Sequence, residues 1–141
     1  MAAGAPYALR LDLAAASART GALSWHDRAR GDEREAIERH GDVVLARKEL
    51  GTSYHLSVTI DDALQGVTLV TRGEDLFRAT DLHRLLQALL GLPVPLYHHH
   101  PLLLDAGGER LAKRAGAATL ADLRSAGTSA REIRARLGFG E

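Results

Sequence analysis

From Thr80 to Leu104 the sequence changes period once, and that change limits what the chain can fold into. Leu82, Leu85, Leu86, Leu89 and Leu90 fall on one stripe of a helix, with Thr80 as its N-cap and Gly91 followed by Pro93 as its stop. Tyr97 to Leu104 then reads as a buried strand. A helix with one apolar stripe must lie on a sheet or core. The pair therefore predicts an α/β fold in which two or three parallel strands are joined by the leucine helix as a crossover.

Other segments fit around that unit. "ALRLDL" (Ala8 to Leu13) alternates as a half-buried strand does, and "DVVLAR" (Asp42 to Arg47) is a short β-branched run, so both are expected to be strands. Between them, "HDRARGDEREAIERHG" is dense in Asp, Glu and Arg and predicts a solvated excursion. Tyr54, Leu56, Val58 and Ile60 recur at period two, which predicts a strand, with Asp61 to Gly66 as a turn before the strand "VTLVTR". Two glycines in "DAGGER" predict a turn after Leu104. Thr119 caps a short helix ending at Gly127, and Ser129 with Glu132 forms a capping box for a last helix carrying Ile133 and Leu137.

With 141 residues the chain is expected to build one core. It has 45% hydrophobic residues and no apolar run near the length of about 20 residues that spans a bilayer, so no membrane partner is expected. "MAAGAPYALRLDL" lacks the layout of a secretory signal, and the expected compartment is the cytoplasm. The absence of cysteine removes disulfides, thiol nucleophiles and thiolate zinc sites. Lys plus Arg equals Asp plus Glu at 18 each, so any contact with nucleic acid has to come from a local patch.

Three adjacent histidines, His98 to His100, suggest a metal site. In a strand, however, His98 and His100 face one side and His99 the other, and three consecutive positions do not converge on one ion. His26, His40, His55 and His83 show no spacing that completes a ligand set. No metal site is expected.

"GGERLAKR" places cationic side chains on a glycine-flanked segment, a design suited to phosphates whose charge moves during a reaction. It resembles the second signature of class I aminoacyl-tRNA synthetases, K-[LM]-S-K-[RS]. Arg110 stands for the first lysine, Leu111 for the hydrophobic residue and Ala112 for the serine, while Lys113 and Arg114 match. The block "SYHLSVTIDDALQGVTLVTRGEDL" together with that loop is similar, over some sixty residues, to the second half of the catalytic domain of glutamyl-type synthetases. That precedent would also allow a helix in its first half. The resemblance implies that Tyr54 and Arg72 hold glutamate, that Lys113 stabilises ATP phosphates as adenylate forms, with Mg2+ accompanying the ATP, and that His99 is the histidine usual in the strand before the loop. Taken singly, Arg72 reads as a surface partner of Glu74 or Asp75, and Tyr54 as a half-buried strand residue. Asp61 and Asp62 are assigned to a turn.

Only 27 residues follow Arg114, which resembles the shorter glutamyl-Q tRNA(Asp) synthetases, enzymes without an anticodon domain. That likeness implies glutamate, ATP and tRNA(Asp) as partners, with transfer of glutamate to queuosine. It implies a single partial catalytic domain: 1–50 as the end of the inserted acceptor-binding region, 51–115 as the second half of the nucleotide-binding fold with its lysine loop, and 116–141 as C-terminal helices. The first signature of the family, its H-I-G-H-like motif, has no counterpart, and the chain is expected to be inactive without a separate N-terminal half. A half-fold also predicts marginal stability or self-association. Two alternatives stay open: a fragment of ordinary glutamyl-tRNA synthetase, and a non-catalytic RNA-binding remnant using Arg124, Arg131, Arg134 and Arg136.

Overall fold

The computed structural model describes residues 7–105, 107–111 and 118–139. After Pro101 the chain divides into two compact units.

The first unit begins with strand β1 (Ala8–Leu11), two residues shorter than its alternation suggests. Asp12 ends it, because its carboxylate accepts the Ala15 N–H at 2.9 Å and turns the residue into the N-cap of helix α1 (Leu13–Thr20). The Ala-rich sequence that follows keeps the helix going until Gly21, at φ 68°, releases it. Strand β4 (Val43–Arg47) pairs antiparallel with β1, with a bulge between Leu9 and Arg10.

The charged stretch between them is not a solvated excursion. Strands β2 (Ser24–Asp27) and β3 (Gly31–Arg34) form an antiparallel hairpin, and β2 alternates so that Trp25 and Asp27 point inward, at 4% and 0% exposure. Ile37, in a 3-10 turn, also reaches the core. The inward face was hidden because one of its two residues is the charged Asp27 and the hairpin continues into the charge-rich β3.

Ser24 to Asp27 also joins the parallel sheet. Strand β5 (Leu69–Gly73) runs parallel to β6 (Leu96–His100), and β6 pairs parallel with β2 through Asp27 opposite Tyr97, giving the order β3-β2-β6-β5. The sheet thus holds the three parallel strands expected, and β6 stops at His100 because Pro101 offers no N–H to a ladder. Helix α3 (Ala79–Leu90) is the crossover between β5 and β6. Four of its five leucines work as expected: Leu82, Leu85 and Leu86 are buried with Leu13, Ala16 and Ile37 in one cluster and Leu89 packs on its edge, whereas Leu90, in the last position of the helix, is 48% exposed. Each fully buried leucine stabilises the fold by roughly 1.5–3 kcal/mol. The cap differs from expectation. Arg78 occupies the N-cap without a side-chain bond, and Thr80 lies inside the helix with its hydroxyl turned to the sheet.

The period-two reading of Tyr54 to Ile60 fails. These residues form helix α2 (Tyr54–Leu64), which Ser53 caps by accepting the Leu56 N–H at 3.3 Å. Its inward side carries Leu56, which packs on the apolar cluster, and the polar His55, Thr59 and Asp62 at helical spacing, so hydrophobic periodicity alone gave little sign of it. Asp61 and Asp62 accordingly sit in the last turns of a helix, and the turn starts only at Gln65.

In the second unit, Leu104 bridges Arg110 across a turn in which Asp105 accepts the N–H groups of Gly107 and Glu109 at 2.8 and 2.9 Å. Gly108 takes φ 81° there. Helices α4 (Leu120–Ser125) and α5 (Ala130–Arg136) both start with a full capping box, Thr119 with Asp122 and Ser129 with Glu132. No helix among the described residues is long and apolar enough to cross a membrane.

Candidate functional site

Strand β5 ends one residue after Arg72, and a short 3-10 turn, Glu74–Leu76, leads straight into α3. The start of α3 therefore lies against the C-terminal ends of β5 and β6, where parallel sheets place ligands. Arg72 and His99 are register partners on the two strands. Thr80 and His83, one helical turn apart on α3, meet them, and α2 adds Tyr54 and His55.

The protons in this cluster follow from one buried carboxylate. Asp27, fully buried, accepts the backbone N–H groups of Ala29, Arg30 and His99 and the ring nitrogen Nδ1 of His99 at 2.6 Å. Burial pushes its carboxyl up, but the hydrogen bonds from His99 and Ala29 outweigh that and hold it below the ordinary carboxylate value. An ionised carboxylate has no proton to give, so the hydrogen-bond network assigns the His99 proton to Nδ1. Burial also lowers His99, against the pull of Asp27, and keeps the ring neutral. Its bare Nε2 then accepts the Arg72 Nε–H at 3.1 Å.

The same logic fixes His83. Burial, with Arg72 beside it, brings its pKa down to about 3, so the ring is neutral. Nδ1 accepts an Arg72 Nη1–H at 3.0 Å, which leaves the proton on Nε2 to be donated to His55 Nδ1 at 3.0 Å. Thr80 Oγ1 accepts from Arg72 Nη2 and lies 3.2 Å from His99 Nε2.

Arg72 thus has three neutral acceptors, two imidazoles and a hydroxyl. None of the ion pairs among the described residues involves it, and Glu74 pairs with Arg30 at 3.2 Å instead. A guanidinium carries five N–H donors. With one each on Nε, Nη1 and Nη2 engaged by these acceptors, each terminal nitrogen keeps a second N–H, and the Tyr54 phenol lies within hydrogen-bonding reach of the guanidinium. Burial lowers the arginine from its ordinary value, and the Tyr97 and Tyr54 phenols support its charge. Tyr54, 55% exposed, packs edge-on against the rings of His55 and His83 at 5.4 and 6.2 Å. A half-buried guanidinium beside an exposed phenol offers donors in the planar arrangement that matches a carboxylate.

Of the residues picked out in the sequence, Tyr54 and Arg72 are brought together. Arg110 and Leu111 belong to the second unit, where the Leu111 N–H donates to the Leu103 carbonyl at 2.9 Å. Ala112, Lys113 and Arg114 lie outside the described residues. Asp27, Thr80, His83 and the inward role of His55 were not anticipated. The only local signal was Thr80 and His83 at helical i, i+3 spacing. The histidine run alternates as argued, with His99 inward and His100 exposed. No group of three or more His, Cys, Asp or Glu among the described residues is placed to hold a metal ion.

Residues 1–134 match the family model of tRNA synthetases class I (E and Q), catalytic domain. The chain is 55% identical over 136 residues to a glutamyl-Q tRNA(Asp) synthetase of Rhodobacter capsulatus, covering 93% of this chain and 48% of that protein. It is 44% identical over 121 residues to glutamate–tRNA ligase 2 of Acidithiobacillus ferrooxidans, covering 84% of this chain and 25% of that one. A crystal structure of a glutamate tRNA ligase from Elizabethkingia meningosepticum, in complex with its amino acid, superposes with a TM-score of 0.59 at 31% identity, over 69% of this chain and 20% of that chain. The chain thus spans about half or less of the length of these relatives. Its parallel strands and crossover helix are those of a Rossmann-type α/β segment, and the chain belongs to the class I tRNA synthetases of the E and Q type, within their catalytic domain.

Proposed function

We propose that this chain supplies the glutamate-holding half of an ATP-dependent synthetase site, and that the complete enzyme activates glutamate and transfers it to queuosine of tRNA(Asp). The observation that carries the reading is Arg72: a half-buried cation whose three hydrogen-bond acceptors are neutral and whose further N–H groups suit a carboxylate, with the Tyr54 phenol beside it and the Asp62 carboxylate near enough to support its charge. A carboxylate held by a guanidinium is a poor nucleophile. The grip therefore falls on the side-chain carboxylate and leaves the α-carboxylate to attack the ATP α-phosphate and displace pyrophosphate. Arg110, Leu111, Ala112, Lys113 and Arg114 are the segment assigned to the ATP phosphates, with Lys113 supplying the positive charge that offsets the charge developing there and Mg2+ accompanying the nucleotide. The glutamyl-Q assignment is supported over an ordinary glutamyl-tRNA synthetase by the glutamyl-Q relatives of Rhodobacter capsulatus at 55% and Nocardia farcinica at 52% identity, against 44% for the glutamate–tRNA ligase 2.

The test has two stages. L-glutamate titrated into the labelled chain is expected to shift the Arg72 side-chain resonances, with glutamine binding more weakly because its amide presents a donor to the fork. ATP/pyrophosphate exchange is then measured after adding the N-terminal half of the Rhodobacter capsulatus relative, followed by transfer of labelled glutamate to queuosine-bearing tRNA(Asp). Exchange without transfer to that tRNA refutes the queuosine assignment. Exchange that Lys113→Ala leaves intact refutes the role of the loop, and no glutamate binding refutes the proposal at its base.

A further inference from the structure

We infer that Asp27 and His99 form a positioning dyad, in which the buried carboxylate fixes the imidazole tautomer so that its bare Nε2 aims the Arg72 guanidinium at the substrate carboxylate. The inference rests on the proposed role of Arg72, but it concerns residues that touch no substrate.

The argument is one of proton counting. Arg72 only donates. An acceptor for its Nε–H exists on His99 only if the ring proton sits on Nδ1, 2.6 Å from Asp27. Should the proton move to Nε2, it would oppose the Arg72 Nε–H across 3.1 Å, and although the Thr80 hydroxyl could turn to accept it, the guanidinium edge now held by His99 would lose its acceptor and swing away. The dyad also carries charge sensibly. Asp27 is negative and Arg72 positive, and a neutral ring lies between them, so the arginine is steadied without having its charge cancelled by a direct pair. A carboxylate bonded to Arg72 itself would have taken up the fork that the ligand needs. Packing supports the alignment: the His99 ring is stacked on Tyr97 at 6.1 Å and meets Trp25 and Phe77 edge-on at 5.7 and 5.1 Å, so aromatic rings flank it on three sides. Thr80 reinforces the same side, since its single hydroxyl contacts both Arg72 and His99.

The experiment uses the full chain, uniformly 15N-labelled, and reads three quantities: the His99 tautomer from long-range proton–nitrogen spectra, the exchange rate of the Arg72 Nε–H, and the Kd for L-glutamate. The wild-type chain is expected to show the proton on Nδ1 and a slowly exchanging Nε–H. Asp27→Asn presents an amide N–H to Nδ1, so the proton is expected on Nε2, the Arg72 Nε–H to exchange fast, and glutamate to bind about tenfold more weakly or worse, as befits a charge-assisted bond lost. His99→Leu and His99→Gln serve where Asp27→Asn unfolds the chain. Leucine removes the acceptor, whereas the glutamine carbonyl accepts from Arg72 without help from Asp27 and is expected to restore slow Nε–H exchange and most of the affinity. A wild-type ring protonated on Nε2 overturns the inference, as does His99→Leu behaving like His99→Gln. If wild-type chain binds no glutamate, the reading of Arg72 as the carboxylate grip fails, while the tautomer and exchange rates still decide whether the dyad aims the guanidinium.

Discussion

Replacing Arg72 by lysine separates charge from geometry at the site. The substitution keeps a cation of similar reach, and at the effective dielectric of about 20 found near protein surfaces a unit-charge pair at 4 Å is worth about 4 kcal/mol with either residue. The donors are what differ. Arg72 commits N–H groups to His99, His83 and Thr80 and holds two more in a plane, whereas an ammonium has three donors on one nitrogen and must abandon either the three protein acceptors or the ligand. Losing one charge-assisted bond to a carboxylate costs about 1.5–3 kcal/mol, so glutamate affinity is expected to fall by roughly 10- to 100-fold. An acceptor left without its donor in the buried cluster adds about 1–3 kcal/mol of lost folding stability. Titration of the Arg72→Lys chain with glutamate, alongside urea unfolding of both chains, measures the two effects. If Arg72→Lys binds glutamate within twofold of the wild-type chain, plain charge attraction suffices and the fork argument is wrong.

Acid should weaken the fold in a defined window. His83 has a folded pKa of about 3 against 6.5 in the unfolded chain, so the unfolded state binds more protons between those values and stability falls as the pH drops below about 6.5. His55 and His99 are lowered too and act in the same direction, and each such proton contributes up to about 1.4 kcal/mol per pH unit. Urea midpoints from pH 8 down to pH 4 check this, and a flat profile contradicts neutral imidazoles around Arg72. Leu85, with no exposed surface, is the deepest of the helix leucines, and Leu85→Ala is expected to cost about 2–5 kcal/mol by chemical denaturation. The chain is also expected to self-associate, because β5 ends the sheet order and Leu64, Leu69 and Leu96 are exposed on neighbouring segments. Sedimentation across concentrations should show it and Leu64→Lys should reduce it, while a monomer at every concentration counts against it.

What the sequence revealed, and what it hid, follows from where the apolar residues lie. The α3 stripe was legible because its leucines repeat at 3.6 residues and face an apolar cluster, and both C-terminal capping boxes were legible because capping is local. Helix α2 was not, since Tyr54, Leu56, Val58 and Ile60 happen to satisfy period two while the inward side joins Leu56 to the polar His55, Thr59 and Asp62. β2 was missed for the same reason: its inward residues include the charged Asp27. Tyr54 and Arg72 could be named from their spacing in a recognisable block, but the partners that hold Arg72 could not. Asp27 and His99 lie 72 positions apart and meet only because β2 joins β6 in the sheet.

The stretch from Gly73 to Arg78 acts as a phasing spacer. Arg72 precedes it, Thr80 and His83 follow it, and the 3-10 turn Glu74–Leu76 sets the angle at which α3 begins. Inserting or deleting one residue there would rotate the start of the helix by about 100° and carry both side chains off the guanidinium, whatever residue was added. An equal change between Gly91 and Pro95 would merely lengthen the return to β6. In functional descendants of this chain the first connector is expected to keep its length while its composition drifts, and the second to vary in both.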